Sequence, residues 1–442
     1  MKRLSGCLFL SLFAAQLHAA DLMQVYREAQ DNDPNFAAAR ATLDAGREKA
    51  PQGLSGLLPS LSLSGNTSWN ENQLSTHNGP TLMKPNYNAN GWQLTLSQPV
   101  FRWQNVVAYD QAKLQVAQAE ANFAQASQDL ILRVSQAYFD VLYASENLAA
   151  LRANKAAIAQ QLELAKKSFE VGTATITDTH EAQARYDLAS AQEIAADSEL
   201  ELRQRTLQAL IGKETGPLAP TRKDAEILPP EPADMNRWVA AAESDSLAVQ
   251  AQQAAADIAE REVSRQRAGH YPTLDLVANH GYNKTYNSIN GSQFDTDFSN
   301  IGLQLNIPLF QGGAVLSKQR EAAANRNAAQ SGLEASRRNA ALAARQYYLG
   351  VANGLAQIKA LRAAQASSLS ALESNKLGYE VGVRINIDVL NAENQVYTAR
   401  RDLAKATFDT LMAQLRLKAA VGALDETALQ QVNALLDPSS AQ

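Results

Sequence analysis

The sequence has one cysteine, Cys7, few aromatic residues, and beyond its first twenty positions no apolar run of the roughly 20 residues that a membrane-spanning helix needs. Each absence excludes something. A lone cysteine rules out a disulfide framework and a thiolate metal cage. Aromatics at 6% speak against a thick globular core, since these side chains carry much of the burial in such cores. The five histidines, His18, His77, His180, His270 and His280, are scattered without metal-ligand spacing. Neither a phosphate-cradling glycine loop nor a nucleophile elbow is present, so no cofactor and no metal are expected, and an enzyme is the poorest of the function classes. The net charge of −5 offers no basic face to nucleic acid. If the chain crosses a membrane, it does so with strands.

What is present begins with Lys2 and Arg3, an apolar run from Cys7 to Leu17, and small residues at Ala19 and Ala20, the layout of a cleaved secretory signal over residues 1–20. Leu4-Ser5-Gly6-Cys7 imitates a lipidation box, but the apolar run follows that cysteine where it should precede it, so the chain is read as non-lipidated. The remainder is dominated by Ala, Gln, Leu and Glu, the composition of long packed helices.

The chain is a tandem duplication. FEVGTATITD at 169–178 recurs as YEVGVRINID at 379–388, with Gly172 matching Gly382, Val171 matching Val381 and Asp178 matching Asp388 at a constant offset. Each copy lies between alanine-rich helical patterns, so each reads as the tip of a helical hairpin, turned at Gly172 or Gly382 and restarted by a capping Thr or Asp. The first repeat spans 21–211 and the second 239–421; the proline-rich stretch 212–238 is a linker packing outside the repeats, and 422–442 is a tail expected to fray.

Within each repeat a hairpin of strands precedes the long helix. Leu61, Leu63, Gly65, Thr67 and Trp69 alternate with polar residues, as do Trp92, Leu94 and Leu96, giving a hairpin over about 60–99 with a polar loop from Asn70 to Gly91. Leu274, Leu276 and Ala278, then Ile301, Leu303, Leu305 and Ile307, repeat the pattern over about 273–308. Pro99 and Pro308 should end the ladders and hand over to helix. From about Gln104 to Phe169 the pattern is helical without proline or glycine, about 100 Å at 1.5 Å per residue. Val116, Phe123, Leu130, Ala137, Ala144, Leu151 and Ile158 recur at seven-residue steps, the period of a coiled coil. Gly350 and Gly354 read as a small-residue spacing that lets helices approach closely.

One apolar and one polar strand face, flanked by Trp69, Trp92, Phe101, Tyr282, Phe298 and Phe310, match an outer-membrane barrel wall. A small soluble sheet is the plainer reading of the same strands. Four strands cannot close a barrel, which takes about eight, so the chain must pool strands with copies of itself, and three copies would give twelve. A trimeric surface stalk or adhesin and a passive porin are the rival functions. A stalk needs heptads in one direction, not antiparallel returns, and a porin has no use for helices of such length.

LTLSQPVF at 94–101, LQLNIPLFQGG at 303–313 and the two tips with their following helices together resemble the TolC family of trimeric outer-membrane efflux and secretion ducts. The resemblance implies a homotrimer in the outer membrane of a Gram-negative cell: a twelve-stranded barrel, four strands from each chain, continuous with a coiled-coil periplasmic tunnel and belted by the linker and termini. It implies partners in a periplasmic adaptor (membrane fusion) protein and an inner-membrane ABC or proton-driven transporter, with outer-membrane lipid around the barrel and no nucleic acid. Carried over residue by residue, it places polar gate links at Tyr379 and Arg384 of the second tip against Thr177 and Asp178 of the first. The plainer alternative is that Thr177 and Asp178 cap a helix and Arg384 is a solvated charge. The resemblance also places two acidic rings at the pore constriction. The first falls on Asp388 and the second on Asn391, which is neutral, so cation selectivity should be weaker than two rings would give.

Overall fold

The computed structural model describes residues 19–437 except 72–73, 76, 78, 80, 84–85, 223–224 and 287–291. The expected signal, apart from Ala19 and Ala20, and the last five residues lie outside the described residues. The chain divides into two compact units, and each takes segments from both halves of the sequence.

One unit, residues 41–123 with 248–336, contains the strands. β1 (Ser60–Glu71), β4 (Asn86–Phe101), β5 (Thr273–Tyr286) and β6 (Gln293–Asn306) form an antiparallel sheet in the order β1-β4-β5-β6. Two short strands, β2 (Leu74–Ser75) and β3 (Thr81–Met83), pair separately, an addition to the four strands expected. The register places Leu61 beside Leu96, Leu96 beside Ala278 and Ala278 beside Ile301. Leu63 and Leu94, Leu276 and Leu303, and Leu274 and Leu305 share that face. The opposite face aligns Ser62, Thr95, Asn279 and Asn300. There Gln93 Nε2 donates to Asn279 Oδ1 at 2.9 Å, Thr95 Oγ1 to the same oxygen at 2.8 Å, and Asn279 Nδ2 to Asn300 Oδ1 at 3.0 Å. A sheet with one dry and one hydrogen-bonded face is built to separate lipid from water.

Two expectations need correction here. The polar stretch from Asn70 to Gly91 is not all loop, because β1 continues to Glu71 and β4 starts at Asn86, Thr67 and Asn88 joining their side chains at 3.0 Å. Pro99 does not end the ladder either: it pairs with Asp275, the register shifts, and Phe101 pairs with Leu274. A bulge accommodates the residue that lacks an N–H. Immediately afterwards Arg102 clasps the buried Asp275 carboxylate with two bonds, Nε to Oδ1 at 2.7 Å and Nη2 to Oδ2 at 2.6 Å. This unit also holds α3 (Lys49–Ser55) and most of α7 (Leu247–Arg267). Gln111 of the long helix donates to Glu262 of α7 at 3.0 Å. Burial pushes the Glu262 carboxyl up, but bonds from Arg265, Gln266 and Gln111 outweigh it and hold the group at about 2.

The other unit, residues 1–40, 124–247 and 337–442, is helical. It draws on α1 (Leu22–Asn32), the start of α2 (Pro34–Arg47), α4 (Trp103–Glu170) from residue 124 onward, α5 (Ile176–Ile211), α6 (Met235–Asp245), α8 (Ala314–Glu380) from residue 337, α9 (Asn386–Ala420) and α10 (Glu426–Asn433). From residue 130 onward the seven-residue seam is buried: Leu130, Ala137, Ala144, Leu151 and Ile158 of α4 are all inside, as are Val134, Val141, Leu148 and Leu162 on its neighbour, whereas Val116 and Phe123, the first two of the series, are half-buried. Phe139 of α4 stacks on Phe408 of α9 at 5.6 Å. Gly354 of α8 lies so close to α9 that a Cβ there would fall 2.2 Å from Thr410 Oγ1, the close approach its spacing suggested.

The linker and the tail both pack against the helices. Tyr138 of α4 is fully buried and donates to the carbonyls of Ala20 at 3.1 Å and Ala219 at 2.9 Å, so the linker is tied into the helices. Burial raises the Tyr138 phenol well above its ordinary value. Among the described residues the tail is folded, against the fraying expected: Leu429 of α10 and Leu436 are buried, and Thr221 bridges Leu436. The single helix expected from about Val239 to Ala268 is instead two, α6 and α7, broken at the extended Ser246.

Candidate gate at the hairpin tips

Both tips are made by the same local physics. The last turn of α4 closes with Gly172 at φ 82°, and α8 with Gly382 at φ 76°, a backbone that glycine adopts at little cost. Thr173 N–H returns to the Ser168 carbonyl at 2.8 Å, and Val383 N–H to the Gly378 carbonyl at 2.8 Å, satisfying carbonyls the helix would leave open.

The restarts differ. In the first copy Thr175 is the N-cap of α5 and forms a reciprocal box with Asp178: the hydroxyl accepts from Asp178 N–H at 3.3 Å, and Asp178 Oδ2 accepts from Thr175 N–H at 2.9 Å and from its hydroxyl at 2.8 Å. Its counterpart in the second copy is Ile385, whose side chain cannot cap. The expected capping Thr or Asp therefore holds only for the first tip. With no hydroxyl to bind, Asp388 turns to Arg384, Nη1 lying 3.7 Å from Oδ2.

Within the chain, then, the ion pair of Arg384 is with Asp388, and the Asp178 carboxylate is engaged by its own cap; the expected Arg384–Asp178 bond is not the one formed. Thr177 and Arg384 are exposed, while Tyr379, Asp178 and Asp388 are half-buried. Asn391 is exposed, and Arg185 of α5 donates to its Oδ1 at 3.2 Å. The Arg185 guanidinium therefore sets a positive charge beside this neutral side chain.

Sequence reasoning missed Arg185, and it missed the buried Asn386. Asn386 Oδ1 accepts from Gln161 Nε2 of α4, and its Nδ2 donates to the Asp178 carbonyl at 3.4 Å. The comparison of copies held the signal, since Asn386 stands where the first copy has Ile176. Beneath lies a dry layer of Ile158, Leu162, Ala165, Ala182, Ala189 and Leu390. Along the first hairpin Lys155 bonds Glu193 at 2.9 Å and Arg152 bonds it at 3.1 Å, and these cations hold the Glu193 carboxyl below its ordinary value.

Among the described residues no helix is long and apolar enough to cross a membrane, and no group of three or more His, Cys, Asp or Glu is placed to hold a metal. A sheet with one apolar face, together with helices too polar for lipid, defines a protein that crosses a membrane by its strands and places its helices in water. The family described as outer membrane efflux protein matches the sequence twice, over residues 25–213 and 238–423, and the chain belongs to that family. It is 32% identical to the outer membrane protein TolC of Vibrio cholerae over 429 residues, covering 96% of each chain. It is 34% identical to the alkaline protease secretion protein AprF of Pseudomonas aeruginosa over 448 residues, covering 98% of this chain and 92% of that one. Among solved structures the outer membrane protein VceC of Vibrio cholerae superposes with a TM-score of 0.77 at 20% identity, over 91% of this chain and 96% of that one. The chain is an outer-membrane exit duct.

Proposed function

We propose that three copies of this chain pool their sheets into a twelve-stranded barrel and pass cargo from an inner-membrane pump, an ABC or a proton-driven transporter, through a periplasmic adaptor to the cell exterior. The observation that carries this reading is the sheet itself. Its apolar row of Leu61, Leu63, Ile301, Leu303 and Leu305 is exposed, and β1 and β6 are its two edges. Exposed strand edges in an apolar sheet demand partners, and in a membrane closure is the only solution. The relatives named for protease secretion favour a type I secretion partner; those named TolC leave small-molecule efflux beside it. On this reading 21–211 and 239–421 are the repeats, 212–238 an equatorial linker and 422–442 the tail, whose described residues pack on the helices. The duct performs no catalysis, and its energy comes from the pump.

Its gate lies at the tips. Tyr379 and Arg384 are donors, Thr177 and Asp178 are acceptors, and the exposure of Arg384 and Thr177 leaves them able to meet partners on an adjacent hairpin or copy. Such bonds are worth about 1–3 kcal/mol each, weak enough for a docking partner to shift the population toward open tips. Single-channel conductance in planar bilayers tests both parts. A small wild-type conductance that rises severalfold in Tyr379→Phe/Arg384→Ser supports the duct and its gate. If neither protein conducts, the duct reading fails; a wild type already wide open removes the gate assignment.

A further inference from the structure

Beside the tip bonds proposed above, the structure holds a polar contact of a different kind, inside the coiled coil. Asn386 is only 3% exposed and Gln161 8%. The Asn386 amide reaches both helices of the other hairpin at once, accepting from Gln161 of α4 and donating to the carbonyl of Asp178 at the start of α5. The duplication gives no reason for an amide here, because the first copy places the exposed Ile176 at this position. A buried amide is unfavourable unless its hydrogen bonds are made, so this pair is stable only while the two hairpins stay in register. The second hairpin is joined along its own length, by Lys376 of α8 to the buried Glu393 of α9 at 3.0 Å and by the close approach of Gly354 to Thr410. It is therefore built to move as one piece, and Asn386 lies where that piece meets its neighbour.

We infer that Asn386 is a positioning residue of the gate: the relay Gln161–Asn386–Asp178 carbonyl holds the two hairpin tips of one chain together in the closed duct and must break when the second hairpin swings outward. This inference rests on the duct reading and adds to it an internal lock distinct from the proposed tip bonds of Tyr379 and Arg384. Because the relay is neutral and shielded from water, salt screens it far less than it screens the Arg384–Asp388 pair.

The full-length chain in planar bilayers provides the test, with Gln161→Met/Asn386→Ile measured beside the wild type and Tyr379→Phe/Arg384→Ser. Replacing both amides by apolar side chains leaves no orphaned donor, so the thermal midpoint should hold. The inference expects a severalfold rise in conductance with that midpoint retained. A conductance equal to the wild type, while Tyr379→Phe/Arg384→Ser opens, would overturn the inference and leave the duct standing; a lowered midpoint without a conductance change would also overturn it, as the mark of a packing role. Should the double variant fail to fold, Asn386→Ser decides the matter by the same readout. If no variant conducts at all, the duct reading itself falls, and the lock with it.

Discussion

Replacing Gly354 with alanine measures how tightly the second hairpin is packed. An alanine Cβ would stand 2.2 Å from Thr410 Oγ1 and 3.1 Å from Thr410 Cβ and Cγ2. Thr410 has little room to yield, being buried with its hydroxyl bound to the Ala406 carbonyl at 2.6 Å. Overpacking of this kind costs about 1–3 kcal/mol, and the severity of the overlap favours the upper part of that range. Against it stands the roughly 1 kcal/mol by which alanine outperforms glycine inside a helix. The expected net is a loss of about 1–2 kcal/mol, read as a lowered thermal midpoint by circular dichroism in detergent. In a Thr410→Ala background the hydroxyl and methyl are gone, and the same substitution should cost at least about 1 kcal/mol less, a coupling typical of touching residues. Equal effects in the two backgrounds, or a gain from Gly354→Ala alone, would refute the packing argument.

Three further outcomes follow from other contacts. Burial pushes the Asp33 carboxyl up, but the Arg133 guanidinium at 2.5 Å and the N–H groups of Asn35 and Phe36 outweigh it, so its folded value lies below the ordinary one. The stability this supplies is present above the ordinary carboxylate value of about 3.9 and is lost as pH falls through the lowered one. Arg133→Met should move the acid-unfolding midpoint to higher pH, and an unmoved midpoint would count against it. If Asn391 lines the constriction as proposed, Asn391→Asp adds a carboxylate there, next to Arg185; reversal potentials in a salt gradient should shift toward cation preference, and further when Arg185→Gln is added. Thr175→Ala breaks the capping box of α5 and should lower stability by about 1 kcal/mol, visible as faster amide exchange over the first turn of that helix.

The parts of the fold legible in the sequence were those fixed by periodicity. Leu130 to Ile158 at seven-residue steps and the leucines of the four long strands each follow a period that only one element satisfies, and the repeated tip gave the duplication. What escaped was held by pairing. Asn86 to Gly91 has poor strand propensity and joins the sheet because β1 is already beside it, with Thr67–Asn88 and Asn88–Asn90 bonds compensating. The break at Ser246 has no proline or glycine to announce it, and the tail is short, following Gly422 and ending in polar residues, yet it buries Leu429 and Leu436. At the candidate gate, Gly172 and Gly382 were legible because a left-handed turn needs them. Arg185 and Asn386 act across helices far apart in sequence, and Asn386 would have stood out only had the copies been compared as Ile176 against Asn386.

The pooling of sheets among copies is the claim on which barrel, trimer and duct all depend. It is tested most directly by cross-linking, with one cysteine placed in β1 and one in β6 on a Cys7→Ser background. The two strands are opposite edges of one sheet, so in a pooled barrel the disulfide must join different chains. The account predicts oxidised bands that climb from monomer to trimer under denaturing electrophoresis and stop there. A disulfide confined to single chains, or a ladder that ends at dimer, would contradict it.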